Sequence, residues 1–278
     1  MPLINCLTSG VSALDSFSEG LQVIGNNIAN INTTAFKSGD ATYADSFSNT
    51  LRAASPGSDT GAMQIGTGVQ VSGINTNFTQ GSLVQTGSVT DLAVSGNGYF
   101  VVQDPANSAT FATRDGSFHF NTAGDLINLQ GSQVLDSTGA AVSIANCRSA
   151  AAASITYDNT TSVTIGPDGT VTAYDRAGTA YAGQKVGLLN VTAQSKLLNQ
   201  GNNLFDFSAT GATLAANLGT AGTGSLGKVQ SGDIEQSNVD LTAQFGNMIT
   251  AQRSFQAASR LVTISDTILD DVVNMKRS

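Results

Sequence analysis

Tryptophan is absent from this chain, histidine occurs once, and charged side chains make up 12% of its 278 residues. That charge content is about half the usual quarter. Each scarcity excludes something. Twelve Lys and Arg stand against twenty Asp and Glu, a net charge of −8, and no basic cluster is present to neutralise phosphates, so nucleic acid is not an expected partner. The single His119 sits between Phe118 and Phe120 in an expected strand, where a solvent-facing imidazole is the simplest reading. Neither a Ser-His-Asp nor a Cys-His set can be assembled around it, and an enzyme is not expected. Cys6 and Cys147 have no metal-ligand spacing, and no metal, cofactor or disulfide is expected. No apolar run reaches bilayer length, so no membrane insertion is expected. Met1-Pro2-Leu3-Ile4-Asn5 lacks the basic start of a secretory signal, which predicts a chain that stays in the cytoplasm or leaves by a route that reads no such signal. A surface so poor in charge is tolerable if much of it becomes interface.

Two motif-like stretches carry no chemistry. Gly222-Thr223-Gly224-Ser225-Leu226-Gly227 matches the dinucleotide pattern, but such a loop needs a strand before it and a helix after it. Here a Gly/Ala/Thr-rich stretch precedes and a strand is expected to follow. Asp115-Gly116, Asp168-Gly169 and Asp125 are turn residues without the alternating acids of a calcium loop.

What the chain has in abundance is heptad spacing at its two ends. Steps of seven from Leu241 give Leu241, Met248, Phe255, Val262 and Leu269; three further on come Gln244, Ala251, Ala258, Ser265 and Val272, mostly small. This predicts one helix of about 50 Å up to Met275, capped by Ser237-Asn238, with Asp240 where the dipole favours an acid. At the other end, Leu7, Leu14, Leu21 and Ile28 repeat by seven, with Gly10, Phe17, Ile24 and Ile31 beside them. That helix is expected over Ile4–Asn30, ending in the Asn/Thr run that opens at Asn26-Asn27. Burying a bulky seam residue is worth about 1.5–3 kcal/mol, so the bulky column is expected to face a partner helix. Either the first and last helices share one globular core, or they form a stalk that also packs on copies of itself.

The middle of the chain changes period. Ala35 to Leu51 reads as irregular or short helix, with Phe36, Tyr43 and Phe47 as anchors, and Ala53 to Ala62 as a linker. Leu92–Val94 and Tyr99–Val102 flank Ser95-Gly96-Asn97-Gly98. Phe111–Thr113 and Phe118–Phe120 flank Arg114-Asp115-Gly116-Ser117. Val163–Ile165 and Thr170–Tyr174 flank Gly166-Pro167-Asp168-Gly169. Each reads as a hairpin. Gly211–Gly227 reads as a return linker. The expected fold class is therefore α+β and discontinuous: N- and C-terminal heptad helices forming a coiled-coil layer (residues 1–64 and 225–278), with an all-β middle domain (65–224).

The end blocks also carry a resemblance. Val23-Ile24-Gly25-Asn26-Asn27-Ile28-Ala29-Asn30 followed by Thr34-Ala35-Phe36-Lys37-Ser38, Ser237-Asn238-Val239-Asp240-Leu241, and Asn247-Met248-Ile249-Thr250-Ala251-Gln252-Arg253-Ser254-Phe255-Gln256 resemble the bacterial flagellar rod and hook family. Asp91-Leu92-Ala93-Val94-Ser95-Gly96-Asn97-Gly98-Tyr99-Phe100 and Thr113-Arg114-Asp115-Gly116-Ser117-Phe118 add to the match. Within the family the motifs are most similar to the hook branch, with the distal-rod branch second. The resemblance implies a structural subunit that leaves through the flagellar type III export apparatus without a cleaved signal and polymerises into a helical tube. Its terminal helices would line the inside. Its partners would be copies of itself and the neighbouring rod, hook-cap and hook–filament junction proteins, at the hook and basal body outside the cell. Self-assembly is then expected of Leu7, Leu14, Phe17, Leu21, Ile24, Asn26, Asn27, Ile28, Asn30 and Phe36 in the N-terminal block, and of Leu241, Phe245, Met248, Phe255, Val262 and Leu269 in the C-terminal one. A secreted adhesin on a helical stalk is the reading from a different class.

Overall fold

Both heptad stretches are long helices in the computed structural model, in which residues 2–52, 63–147 and 156–275 are described. The N-terminal helix spans Pro2–Ala29 and the C-terminal helix Leu241–Met275. Proline suits a first helical position, because its missing N–H would have had no partner in the helix. Gly246 leaves the second helix unbroken. The cap of that helix is Asp240, correcting the expected Ser237-Asn238 pair: its Oδ1 accepts the Thr242 N–H at 2.9 Å and the Ala243 N–H at 3.3 Å. A carboxylate oxygen there satisfies two otherwise orphaned donors and meets the positive end of the helix dipole. The first helix closes in the Asn run, where the Asn30 N–H donates to the Asn26 carbonyl at 3.1 Å.

The chain forms two compact units. One comprises Met1–Ile31, Ser38–Asn77 and Val239–Ser278, the other Asn32–Lys37 and Phe78–Asn238. The divisions therefore fall at 77/78 and 238/239, not at the expected 64/65 and 224/225, and a six-residue stretch of the N-terminal block goes with the β unit.

In the first unit the helices run antiparallel and meet through their small residues. Gln244, Ala258 and Ser265 are buried, and Ser265 Oγ lies 3.5 Å from Cys6 Sγ. A methyl group added to Gly10 would stand 2.8 Å from Val262 Cγ2. Small side chains let the two backbones approach, so the bulky column is turned to the flank. Met248, Val262 and Leu269 are half-buried, while Leu241 and Phe255 are 39% and 37% exposed. This corrects the expectation that the bulky column carries the burial within the chain.

The stretch expected to be irregular or helical after Ala35 is extended instead. Strand β1 (Gly39–Asp45) pairs antiparallel with β4 (Val69–Thr76), and β2 (Ser48–Arg52) with β3 (Met63–Gly66). The register shifts between Thr42, opposite Gly73, and Tyr43, opposite Val71, which leaves Ser72 as the extra residue of a bulge in β4. Tyr43 packs edge-on against Phe17 with ring centroids 6.1 Å apart, but Phe47, expected as an anchor, is 89% exposed. The linker read at 53–62 lies outside the described residues.

The second unit is built around a strand buried on both faces. Strand β7 (Tyr99–Gln103), which follows the short strands β5 (Leu83–Gln85) and β6 (Leu92–Ser95), pairs with β8 (Thr110–Thr113) on one side and with Gln133–Val134 and Gly187–Leu189 on the other. Its side chains alternate between two cores. Phe100 and Val102 join Phe118, Val134 and Leu188; Tyr99 and Val101 join Ala112, Leu189 and Phe205. Such a strand reads as a continuous apolar run rather than an alternation.

Two of the three expected hairpins are corrected here. Residues 92–95 pair with Lys228–Ser231, not with β7, because the turn at Gly96 (φ 110) and Gly98 (φ 126) sends the chain into a different sheet. Likewise β8 pairs with β7 and Leu204–Asp206, while His119–Phe120 pairs with Leu126–Ile127. Gly116 lies so close to the Leu92 carbonyl that a Cβ there would overlap it. The third hairpin stands, with Ile165 opposite Val171. The return stretch is also ordered: Leu214–Asn217 is a helical turn and Leu218–Thr220 a strand against Gly187–Leu189. A strand, Lys228–Ser231, follows the glycine motif, so no helix N-terminus opens on it.

Candidate assembly surface

The residues expected to take part in assembly fall into three environments. Leu7, Leu14, Phe17, Leu21, Ile24 and Ile28 are half-buried on the N-terminal helix, as are Met248, Val262 and Leu269 on the C-terminal one. Leu241, Phe245 and Phe255 are exposed, and so is Asn26. Phe245 is joined on the helix surface by Ile249, Leu261, Ile264, Ile268 and Val272, each at least 41% exposed. That stripe of large apolar side chains exceeds the scattered ones normal on a monomer.

Asn27 and Phe36 are committed to their own units and do not present a surface. Asn27 is 1% exposed. Its Nδ2 donates to the Gly39 carbonyl at 2.8 Å and to Gln244 Oε1 at 3.3 Å, while its Oδ1 accepts the Gly39 N–H at 2.9 Å. One amide thus clamps strand β1 and the C-terminal helix to the N-terminal helix. Asn30 donates to the Asn26 carbonyl and side-chain oxygen, both at 2.9 Å, and shapes the helix end. Between the helices and β1 lies a cleft of about 330 Å³, lined by Phe17, Val23, Tyr43, Gln244, Thr250 and Ala251 among others.

The second unit contains a feature that spacing did not reveal, a buried triad of charges. Lys37 Nζ lies 2.6 Å from Glu235 Oε1, and Arg114 Nη1 lies 3.3 Å from Glu235 Oε2, with all three side chains 5% exposed or less. Oε1 also accepts the Gly81 N–H at 2.8 Å. Lys37 donates to the Thr79 carbonyl at 2.9 Å, Arg114 to the Gly96 carbonyl at 2.8 Å, and the guanidinium carbon stands 5.0 Å over the Tyr99 ring. Burial pushes the Lys37 ammonium below its ordinary range, against the attraction of Glu235. Burial pushes the Tyr99 phenol up to about 12. Two cations around one carboxylate are tolerable here because carbonyls and a ring face absorb the second charge. No local signal in the sequence marks it: Lys37 is followed by Ser38-Gly39-Asp40 and Arg114 by Asp115-Gly116, as surface charges would be.

Among the described residues no group of three or more His, Cys, Asp or Glu could hold a metal, and no helix is long and apolar enough to cross a membrane. His119 is exposed, and both cysteines are free. A helical unit made from both ends of the chain, with apolar residues left on its surface, is the layout of a subunit built to pack on others.

The comparisons place it further. Residues 93–173 match the flagellar hook protein FlgE/F/G D1 domain, residues 230–275 the flagellar basal body rod FlgEFG protein C-terminal region, and residues 7–37 the flagella basal body rod protein family. The chain is 35% identical to the flagellar basal-body rod protein FlgG of Bacillus subtilis, over 99% of this chain and 100% of that one. It is 32% identical to FlgG of Agrobacterium fabrum, over 95% and 96%. It is 26% identical to the flagellar hook protein FlgE of Salmonella typhimurium, over 97% and 99%. This chain belongs to the flagellar FlgE/F/G family of rod and hook structural proteins.

Proposed function

We propose that the chain is a rod subunit of the distal, FlgG type, which polymerises with copies of itself in the flagellar basal body. One observation carries the choice of rod over hook. The alignment to FlgG of Bacillus subtilis closes in 279 positions, whereas the alignment to FlgE of Salmonella typhimurium needs 416 for the same chain. The hook relatives therefore hold long segments that have no counterpart here. This replaces the expectation drawn from the end motifs, which placed the hook branch first. Those motifs serve packing that both branches share, so they discriminate poorly between them.

Two features of the fold support assembly. Exposed apolar residues line the C-terminal helix from Leu241 to Met275. The β2–β3 ribbon, with Phe47 just before it, carries Leu51, Met63 and Ile65, roughly half or more of each in solvent, and a lone two-stranded ribbon is marginal in water without something to pack on. A neighbouring copy supplies what both lack. In this reading the export apparatus and the adjoining rod and hook components are the other partners.

Expression in a bacterium lacking its own FlgG should restore rod completion and swimming. Rescue of a host lacking FlgE, with no rescue of the first, would return the reading to the hook. Electron microscopy of the purified chain at high concentration should show straight tubes, and a small closed oligomer would favour the stalked adhesin instead.

A further inference from the structure

Two outward faces of the helical unit carry exposed charges of opposite sign. On the N-terminal helix the only charged residues are Asp15 and Glu19, both exposed and one turn apart, with the exposed Val11 one turn before them. That helix holds no Lys or Arg. Around the helix they lie on the side away from the buried Gly10, Gly20 and Asn27. On the C-terminal helix the bases are Arg253 and Arg260, exposed and seven residues apart, on the side opposite the buried row Gln244, Ala258 and Ser265; its exposed acids, Asp266, Asp270 and Asp271, follow closer to the C-terminal end. Ile249 and Ile264, 53% and 59% exposed, continue the same row at four residues before the first arginine and four after the second.

None of Asp15, Glu19, Arg253 and Arg260 forms an ion pair among the described residues; the ion pairs found are Lys37–Glu235, Arg114–Glu235 and Lys185–Asp168. In an antiparallel pair the two outward faces point away from each other, so Asp15 and Glu19 of one copy are out of reach of its own arginines. A second copy can bring them together. The rise from Asp15 to Glu19 is about 6 Å and from Arg253 to Arg260 about 10 Å, a difference that two arginine side chains span.

We propose that the acidic face of the N-terminal helix, Val11, Asp15 and Glu19, docks on the Arg253–Arg260 row of the C-terminal helix of another copy, with Ile249 and Ile264 covering the apolar margin. The contact uses a different patch on each partner, the kind that propagates into an open helical polymer rather than closing as a dimer. It rests on the reading of the chain as a self-assembling subunit, and it names which faces meet.

Charge reversal tests it, because like charges forced together at an interface disfavour association. D15R/E19R subunits and R253E/R260E subunits should each need more than about ten times the wild-type concentration to form tubes. Mixed in equal amounts, they should co-assemble, since each then offers the other a complementary face. The four-fold variant D15R/E19R/R253E/R260E should assemble alone. Circular dichroism of each monomer should match wild type, as all four side chains are exposed. If wild-type protein forms no tubes, the subunit reading itself fails. If wild type assembles and the reversed variants assemble equally well, or if the mixture stays monomeric, this pairing is wrong while the subunit reading survives.

Discussion

The two units differ in how completely each satisfies its own residues. In the β unit, strand β7 is buried on both faces between two cores, and its buried ions are paired within the unit. In the helical unit, 35 residues of the C-terminal helix bury Gln244, Ala258 and Ser265, and large apolar side chains are left in water. The first closes around two cores of its own. The second holds together through small residues and one buried asparagine, and its larger side chains await a surface. Low charge has a different meaning in each: in one it accompanies a closed core, in the other an unfinished interface.

The largest effect that would test this contrast is in the β unit. Glu235→Ala leaves Lys37 and Arg114 buried without a counter-charge, which should cost about 3–5 kcal/mol. Thermal unfolding followed in the β unit should show a marked loss, while Glu235→Gln should lose less because the shape is kept. A β unit that tolerated the alanine would mean it is not closed in the sense argued. Amide exchange of the soluble monomer comes next. Leu241–Leu269 should exchange at least about tenfold faster than Tyr99–Gln103, and equal protection would erase the distinction between the units.

Phe255→Asp sharpens it from the other side. Because Phe255 is 37% exposed, the change should shift monomer stability by less than about 1 kcal/mol yet abolish tube formation in a sedimentation assay. The smallest effect lies at the turn of the 160–185 ribbon. The Thr170 hydroxyl, and then Lys185, hold the Asp168 carboxyl down at about 2, from an ordinary 3.8. A depressed folded pKa means that the stabilisation is present above pH 3.8 and is lost as pH falls toward 2. The side chain is 51% exposed, so screening keeps the effect below about 1 kcal/mol. Acid titration of Asp168→Asn beside wild type should show a small difference above pH 3.8 that disappears within that window.

The helices were legible because a period near 3.5 residues is written locally, and so was their end at the Asn run. Which column of the heptad faces inward was not, since Leu241 and Ala258 both fit a seam until the distance between the helices is known. Strand content was legible in the Gly-punctuated middle, but pairing was only partly so. The turn at 95–98 looks like a hairpin, yet residues 92–95 pair with a strand more than 130 positions away. The triad was the least legible of all. Lys37, Arg114 and Glu235 share no spacing, and only the tertiary fold brings them to one point.

That triad has a mechanical corollary. Lys37 is the last residue of the β unit before the chain leaves it at Ser38, and Glu235 comes three residues before the chain leaves it again after Asn238. Tension arriving along either strand of polypeptide therefore reaches the same carboxylate within a few bonds. Two of the four points where the chain enters or leaves the module are thus moored to one post, so a pull on one is resisted by the anchorage of the other.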